Sequence, residues 1–356
     1  MKTPRLFTPG PTEVPVEVRE AFAGPMIHHR SSEFGEILRR VRDRVGWLCG
    51  CDGEIALLSS SGSGGMEASV ASLFAPGDEV VVVVGGKFGE RWKELADHYR
   101  LKSVTIAVEW GRAVAVEAVL RTVTPSTKGI LIQGCETSTG AYHPIAEIGH
   151  ALRGRGDLLF VVDAITALGI HDLDMERDRI DVLVGASQKA FMSPPGAAVV
   201  ALSRRALQRM LDPGGSYYFS LAREVAAAKK NQTGFTPAIS NIVALDAALA
   251  RIEREGKPAL FARHLELQRL ARASLREMGL HLFNRDEEAT VGITVAHAQE
   301  GLDVKGWIQG LRTKEGLWLA GGQGKLEGKI FRLAHFGAIT KKDLLWALDR
   351  IRESLA

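Results

Sequence analysis

Short apolar runs alternate with segments of helical period through the first two hundred residues. The runs are rich in β-branched side chains and lie at residues 55–58, 79–84, 104–108, 130–133, 157–163, 182–184 and 197–202. Residues 32–48 instead carry apolar side chains every three to four positions, which predicts a helix with Ser31 or Ser32 as its cap. Buried strands that alternate with helices are typical of an α/β domain with a mostly parallel sheet.

The pattern changes after Pro237. Two long helices are predicted at residues 239–255 and 258–278. A strand at 291–295, a helix at 304–315, a strand at 330–334 and a helix at 341–354 follow. We therefore expect three parts: an extended, proline-rich segment at residues 1–15 beside the active site, a large cofactor-binding domain at 16–245, and a smaller α+β domain at 246–356.

Small and polar residues follow several of the predicted strands. Residues 59–65, 85–89 and 134–140 are rich in glycine, serine and threonine, and helices are predicted after them at 66–74 and 91–99. Parallel strands deliver such segments to one edge of the sheet, where α/β folds bind cofactors. The turn at 59–65 lacks both the P-loop pattern and the third glycine of the dinucleotide fingerprint. A helix N-terminus there would favour an anion, although an ordinary turn is the alternative.

Two of these strand ends carry residues with chemical potential. Lys189 lies between two apolar runs, and desolvation there would lower its pKa and free an amine for Schiff-base formation. Asp163 ends the strand at 157–163. A lysine with a nearby carboxylate suits a pyridine aldehyde cofactor, whose ring nitrogen needs a negative partner. A solvated loop lysine and a capping aspartate remain the alternatives.

Composition narrows the class of protein. The chain has 356 residues, of which 46% are hydrophobic and 24% charged, as in ordinary globular proteins. A net charge of +3 gives no indication of nucleic-acid or membrane binding. Three cysteines form no disulfide framework, and no signal peptide is visible, so we expect a cytoplasmic protein. No metal site is expected; a site built from Cys49, Cys51, His28 and His29 is a minor alternative.

Several motifs in this order resemble the class V aminotransferases of fold type I, closest to the alanine–glyoxylate and serine–pyruvate branch. They are residues 8–12 (TPGPT), 61–68 (SGSGGMEA), 136–140 (ETSTG), 162–164 (VDA), 187–190 (SQKA), 194–196 (PPG) and 236–240 (TPAIS). The resemblance implies pyridoxal 5′-phosphate as cofactor, a seven-stranded, mostly parallel sheet with a smaller α+β domain, and a homodimer with shared active sites.

The resemblance also implies roles for particular residues. Lys189 would hold the cofactor as a Schiff base and move the proton during catalysis, and Asp163 would pair with the ring nitrogen. Phe88 would stack on the ring, where close relatives have tryptophan. The remaining cofactor contacts would be Ser61, Gly62 and Ser63 on the phosphate with Gln188 beside them, Ser138 on the ring hydroxyl, and Thr236 on the phosphate of the neighbouring subunit.

Arg332 interrupts an apolar strand and would bind the substrate carboxylate, with Gly10 and Ser138 also at the substrate. We expect alanine or serine as donor and glyoxylate or pyruvate as acceptor, in a ping-pong reaction. Arg30, beside His29, keeps aspartate open as a donor.

A cysteine desulfurase is a weaker alternative, because Gln188 and Phe88 replace the histidines expected there. Lys189, Asp163 and Arg332 argue against an inactive binding module.

Overall fold

The computed structural model describes residues 3–212 and 214–355. Residues 1, 2, 213 and 356 fall within the three predicted parts of the chain but lie outside the described residues. No helix in the two described ranges combines the length and the apolar composition that crossing a bilayer requires.

The strands, in chain order, are β1 (Arg5–Leu6), β2 (Glu54–Leu58), β3 (Glu79–Val84), β4 (Lys102–Ala107), β5 (Thr127–Gln133), β6 (Cys135–Glu136), β7 (Ala141–Tyr142), β8 (Leu159–Asp163), β9 (Val182–Ala186), β10 (Ala198–Leu202), β11 (Ile293–His297), β12 (Leu317–Trp318), β13 (Ala320–Gly321) and β14 (Ile330–Ala334).

The α-helices are α1 (Val16–Phe22), α2 (Ser32–Cys49), α3 (Gly62–Leu73), α4 (Lys87–His98), α5 (Val116–Thr122), α6 (Ile145–Ala151), α7 (Arg204–Gln208), α8 (Leu221–Ala228), α9 (Ile239–Glu255), α10 (Lys257–Glu277), α11 (Val304–Gly310) and α12 (Lys341–Leu355). Short 3₁₀ turns occur at Asp286–Glu288 and Gly324–Leu326, and a π-helical turn at Leu311–Glu315 continues α11.

The main sheet has seven strands in the order β2-β10-β9-β8-β5-β3-β4. All pairs are parallel except those of β10, which runs antiparallel to both β2 and β9. Both faces of this sheet are buried except at the edge strand β4, where most side chains are exposed. In β3, Val81 and Val83 pack into one apolar cluster, whereas Val80 and Val82 pack into another. This is the arrangement that a continuous apolar run predicts, and it confirms the expected α/β architecture.

A smaller antiparallel sheet, β11-β14-β13, is built from the last part of the chain. The amino-terminal segment joins this part, because β1 pairs with β12 and the buried Phe7 lies in the same apolar cluster as the side chains of α12. The amide of Ala334 also donates to the carbonyl of Phe7 at 2.8 Å. Residues 5–7 therefore lead directly from the small sheet toward the edge of the large one.

Several element boundaries differ from those expected. Helix α3 begins at Gly62 and α4 at Lys87, four residues earlier than the sequence pattern suggested in each case. The glycines that we interpreted as turn residues are helical and allow close packing, since a Cβ on Gly62 would lie 2.4 Å from Ile165. The strand expected at 291–295 is β11, two residues later. The expected helix at 304–315 changes to a π-helical turn after Gly310.

Helix α6 gives a test of this packing. An added Cβ on Gly149 would lie 1.8 Å from the carbonyl oxygen of Asp178, in the segment that leads into β9. We expect Gly149→Ala to lower the free energy of unfolding by about 1–3 kcal/mol or more, because two backbones must separate. Thermal or denaturant unfolding of the purified variant measures this.

Gly310→Ala is the matched control in another helix, because a Cβ there meets no atom within 4 Å. Alanine favours a helix over glycine, so this variant should be as stable as the parent or slightly more stable. Equal stability of Gly149→Ala and Gly310→Ala would contradict the packing described for α6.

Candidate active site

Six strands of the large sheet, all except β10, run in the same direction and place their carboxyl ends on one edge. The segments that leave this edge are the turn into α3, the turn into α4, the loop at residues 134–140, Asp163 and the connection that carries Lys189. The structure thus brings together most of the residues predicted from the sequence. It does so in the position where parallel sheets usually bind their ligands.

Lys189 lies on the connection between β9 and β10, covered by the amino-terminal segment. Its amine donates to the carbonyl of Pro9, and Thr12 donates from its hydroxyl to the carbonyl of Lys189 at 2.9 Å. Gly10 has a φ of +114°, and a Cβ there would lie 2.5 Å from the lysine Nζ. Burial lowers the pKa of Lys189 to about 8, against the attraction of Asp163. The amine is therefore easier to deprotonate than that of a surface lysine.

Asp163 ends β8 and is 4% exposed. One carboxylate oxygen accepts from the amide of Ile165 at 2.9 Å, and the described residues provide no second partner. Burial raises the pKa of Asp163 to about 7, although the amide of Ile165 opposes that shift. A buried carboxylate with one free oxygen is suited to a cationic partner such as a protonated ring nitrogen, which would restore its ordinary acidity.

The turn into α3 offers donors for an anion. Ser61 precedes the helix without using its side chain as a cap, and Gly62 and Ser63 form the first turn. Gln188 lies next to Lys189, and its Oε1 is buried without a hydrogen-bond partner among the described residues. Buried amide groups are rarely left unpaired, so this atom indicates that a ligand completes the site. The hydroxyls and amides of this turn fit the phosphate of pyridoxal phosphate, to which Gln188 would donate through its side-chain NH2, as Asp163 and Lys189 fit the ring and the aldehyde.

Glu136 organises the loop after β5 and was missed as a site residue in the sequence. Its fully buried carboxylate accepts from the amides of Phe88 and Gly89 at 3.1 and 3.0 Å and from the hydroxyl of Ser138 at 2.5 Å. Burial raises the pKa of Glu136, and these donors act in the opposite direction. The only available signal was a charged residue in a loop of otherwise small side chains.

Two predicted cofactor contacts depend on Glu136. Phe88 is half-buried in the first turn of α4. Its backbone amide donates to the Glu136 carboxylate and so holds this turn in place. Ser138 gives its single hydroxyl proton to Glu136 and accepts from the amide of Lys87 at 3.0 Å. In this arrangement Ser138 has no further proton to donate. To form its predicted bond with the ring hydroxyl, the Ser138 oxygen would either accept from that hydroxyl or release Glu136 and donate to it.

Arg332, in β14, reaches the same edge from the small sheet. Its guanidinium donates to the carbonyls of Gly321 at 2.9 Å and Thr137 at 3.0 Å, and the residue is 6% exposed. Burial lowers the pKa of Arg332 to about 10, while Glu136 acts in the opposite direction. Two neutral carbonyls fix the orientation of the fork, and no described residue forms a salt bridge with it, so its remaining N–H groups can bind a carboxylate.

Arg91 is the second site residue that the sequence pattern did not reveal. It lies in α4 and donates to the hydroxyl of Ser63 at 3.1 Å. The sequence pattern predicts that this helix begins at Arg91, whereas the residue lies more than one turn inside α4. The earlier start directs Phe88 and Arg91 toward the same edge of the sheet.

Other predicted residues lie apart from this cluster. Thr236 is exposed and forms no hydrogen bond with any described residue. Arg30 is exposed and donates to the side chain of Gln232 at 2.8 Å, so this chain does not bring it to Arg332. His28 and His29 lie side by side on the same loop, with ring centroids 4.7 Å apart.

The two buried cysteines, Cys49 and Cys135, do not fit a desulfurase nucleophile. Cys49 is buried at the end of α2, and burial raises its pKa far above the ordinary value. Cys135 is also buried, and its pKa is raised to about 12, mainly by desolvation. A reactive cysteine needs a thiolate that is accessible and stabilised, and neither residue meets that condition.

Comparison with known proteins agrees with this geometry. The family profile described as aminotransferase class-V matches residues 11–323. The soluble hydrogenase 42 kDa subunit of Anabaena cylindrica is 34% identical, over 96% of this chain and 90% of that protein. The serine–glyoxylate aminotransferase of Hyphomicrobium methylovorum is 30% identical, over 95% and 86%.

A solved structure shows the same architecture. The aspartate aminotransferase of subgroup IV from Thermus thermophilus superposes with a TM-score of 0.92 and 32% identity, over 99% of both chains. The family match covers most of the chain, and the fold, the sheet edge and the lysine–aspartate pair agree with it. The chain therefore belongs to the class V aminotransferases, and it is an aminotransferase of fold type I that depends on pyridoxal 5′-phosphate.

Proposed function

We propose that this aminotransferase moves an amino group from alanine or serine to glyoxylate or pyruvate by a ping-pong reaction. The observation that carries the proposal is the position of Arg332, whose guanidinium is buried opposite the lysine and has only neutral partners. One such fork matches one α-carboxylate. The serine–glyoxylate name of a relative supports the choice of small substrates.

The proposed roles of the side chains follow from their surroundings. Pyridoxal phosphate, when bound, withdraws electrons from the carbon that loses its proton. Lys189 would hold the cofactor and then move that proton as the free amine, which its lowered pKa favours. Asp163 would keep the ring nitrogen protonated, and Phe88 would pack on the ring. Ser61, Gly62, Ser63 and Gln188 would bind the phosphate, and Gly10 would leave room for the substrate beside Lys189.

Aspartate is the second candidate donor. The solved relative from Thermus thermophilus is named an aspartate aminotransferase, and a dicarboxylate would need a cation for its second charge. Arg30 is turned to Gln232 in this chain, which disfavours it as that cation. Arg91 is the other arginine near the lysine, so the role of Arg91 bears directly on the choice of donor.

We also propose a homodimer with shared active sites in the cytoplasm, with residues 1–15, 16–245 and 246–356 as its three parts. Thr236, which forms no hydrogen bond with the part of the chain that the structure describes, would reach the phosphate of the neighbouring subunit. Exposed aromatic side chains lie close by: Tyr218 is 45% exposed and stacks on Phe235 at 4.8 Å. Exposed apolar surface of this kind is typical of an interface.

Replacement of Asp163 tests the electron-withdrawing role. Asp163→Asn should lower kcat by more than about a hundredfold while most of the cofactor stays bound, because a neutral amide cannot keep the ring nitrogen protonated. Cofactor content and single-turnover rates of the same preparation measure both effects. Asp157→Asn, before the other end of β8, is the control and should behave as the parent. An unchanged kcat at full occupancy would contradict the role.

Mixed dimers test the shared site. Thr236→Ala should retain the cofactor less well, and Lys189→Ala should be inactive. In a hybrid dimer, one site would contain Lys189 from the first subunit and Thr236 from the second, and it should regain normal cofactor retention. Differently tagged subunits allow the hybrid to be purified and measured at low cofactor concentration. Hybrids that retain the cofactor no better than Thr236→Ala would contradict a shared site.

A panel of donors and acceptors tests the substrates. We expect alanine and serine to give the highest kcat/KM, with glyoxylate or pyruvate as acceptor. The proposal would be overturned if kcat/KM for aspartate or glutamate exceeded that for alanine and serine by more than about tenfold, or ~1.4 kcal/mol in transition-state binding. If that occurs, Arg30→Ala distinguishes the source of the preference, because it should abolish the aspartate preference only if Arg30 reaches the substrate.

A further inference from the structure

Arg91 occupies a distinctive position between two parts of the site. Its Nη1 donates to the hydroxyl of Ser63 in the first turn of α3, and its Cζ lies 5.0 Å from the centre of the Phe88 ring. The guanidinium thus connects the anion-binding turn with the ring expected to stack on the cofactor. One edge of the guanidinium is engaged by Ser63, and its other N–H groups have no partner among residues 3–212 and 214–355.

Arg91 forms no salt bridge with an acid among the described residues, although its charge lowers the pKa of the nearby Asp163. Its neighbours in α4 behave differently, because Lys87 pairs with Glu90, and Lys93 pairs with Asp97 at 2.6 Å. Arg91 instead lies near the cation Lys189, on which Arg332 also acts. Burial is the main cause that lowers the pKa of Lys189, and the charges of Arg332 and Arg91 contribute to the same shift. The three cations outnumber the two buried carboxylates beside them, Asp163 and Glu136, so at least one further anion is needed to balance the charge.

Two anions would enter this site, the substrate carboxylate and the cofactor phosphate. Arg332 is held near the loop at 134–140 by the carbonyl of Thr137, whereas Arg91 is held at the turn of α3 by Ser63. The expected phosphate ligands Ser61, Gly62, Ser63 and Gln188 are all uncharged. Among the described residues, Arg91 is the cation that contacts this turn, so it would balance a phosphate that carries close to two negative charges.

We propose that Arg91 binds the cofactor phosphate, closing that site from the side of α4. The planar guanidinium matches phosphate oxygens through two N–H groups, which a lysine cannot reproduce. The same contact would fix Phe88, so that phosphate binding and ring stacking are set by one side chain. The inference deepens the assignment of the cofactor and does not depend on which amino donor is used. An Arg91 that binds the phosphate is not available as a partner for the second carboxylate of aspartate.

The test compares two ligands that differ only in the phosphate. Apoenzyme is titrated with pyridoxal phosphate and with pyridoxal, and the Kd values are measured by absorbance. Arg91→Gln should weaken pyridoxal phosphate about tenfold to a hundredfold, the range for loss of a charged hydrogen-bond partner, and leave pyridoxal nearly unchanged. Inorganic phosphate should bind the apoenzyme correspondingly less well. Arg91→Lys should fall between Arg91→Gln and the parent.

Lys93→Gln is the matched control, because it removes one charge from α4 at a residue already paired with Asp97. It should keep the full preference for pyridoxal phosphate over pyridoxal. Equal loss of both ligands in Arg91→Gln would overturn the proposal and show that Arg91 only supports Phe88. Unchanged binding of both, with a raised KM for aspartate but not for alanine, would assign Arg91 to the substrate and overturn it as well. Unfolding curves of the apo variants show whether each variant is folded.

Discussion

The desolvation of one lysine amine is the constraint on which the site depends. Lys189 must lose water to become a usable amine, and the chain achieves this by laying its amino-terminal segment over the connection between β9 and β10. Gly10 is required there, since any side chain would collide with the lysine. The segment is in turn anchored on the small sheet through β1 and Phe7. The environment of the lysine therefore depends on both sheets.

A second buried charge, Glu136, sets the geometry on the opposite side of the site. The carboxylate gathers amides from α4 and the hydroxyl of Ser138, while the neighbouring Thr137 gives its carbonyl to Arg332. One loop after β5 thus positions the ring proposed to stack on the cofactor and the arginine proposed for the substrate. A buried carboxylate of this kind is tolerated because its acceptors are nearly all used. Its loss would disturb both groups together.

The sequence was sufficient for the fold and for the residues that stand at strand ends. Continuous apolar runs predicted the buried strands, and a polar residue directly after a run, such as Asp163, predicted the edge of the sheet correctly. Sequence reasoning failed where glycines served packing and not turns, and so α3 and α4 began earlier than expected. It also missed Arg91 and Glu136, whose roles depend on contacts between distant segments that no local pattern reveals.

The attachment of the cofactor to Lys189 is the central claim, and chemical trapping measures it directly. The holoenzyme is reduced with borohydride and digested, and the peptide that carries the pyridoxyl group is identified by mass spectrometry. The label should lie on Lys189 and be absent from reduced Lys189→Ala. A label on another lysine of the parent protein, or one that persists in Lys189→Ala, would contradict the account.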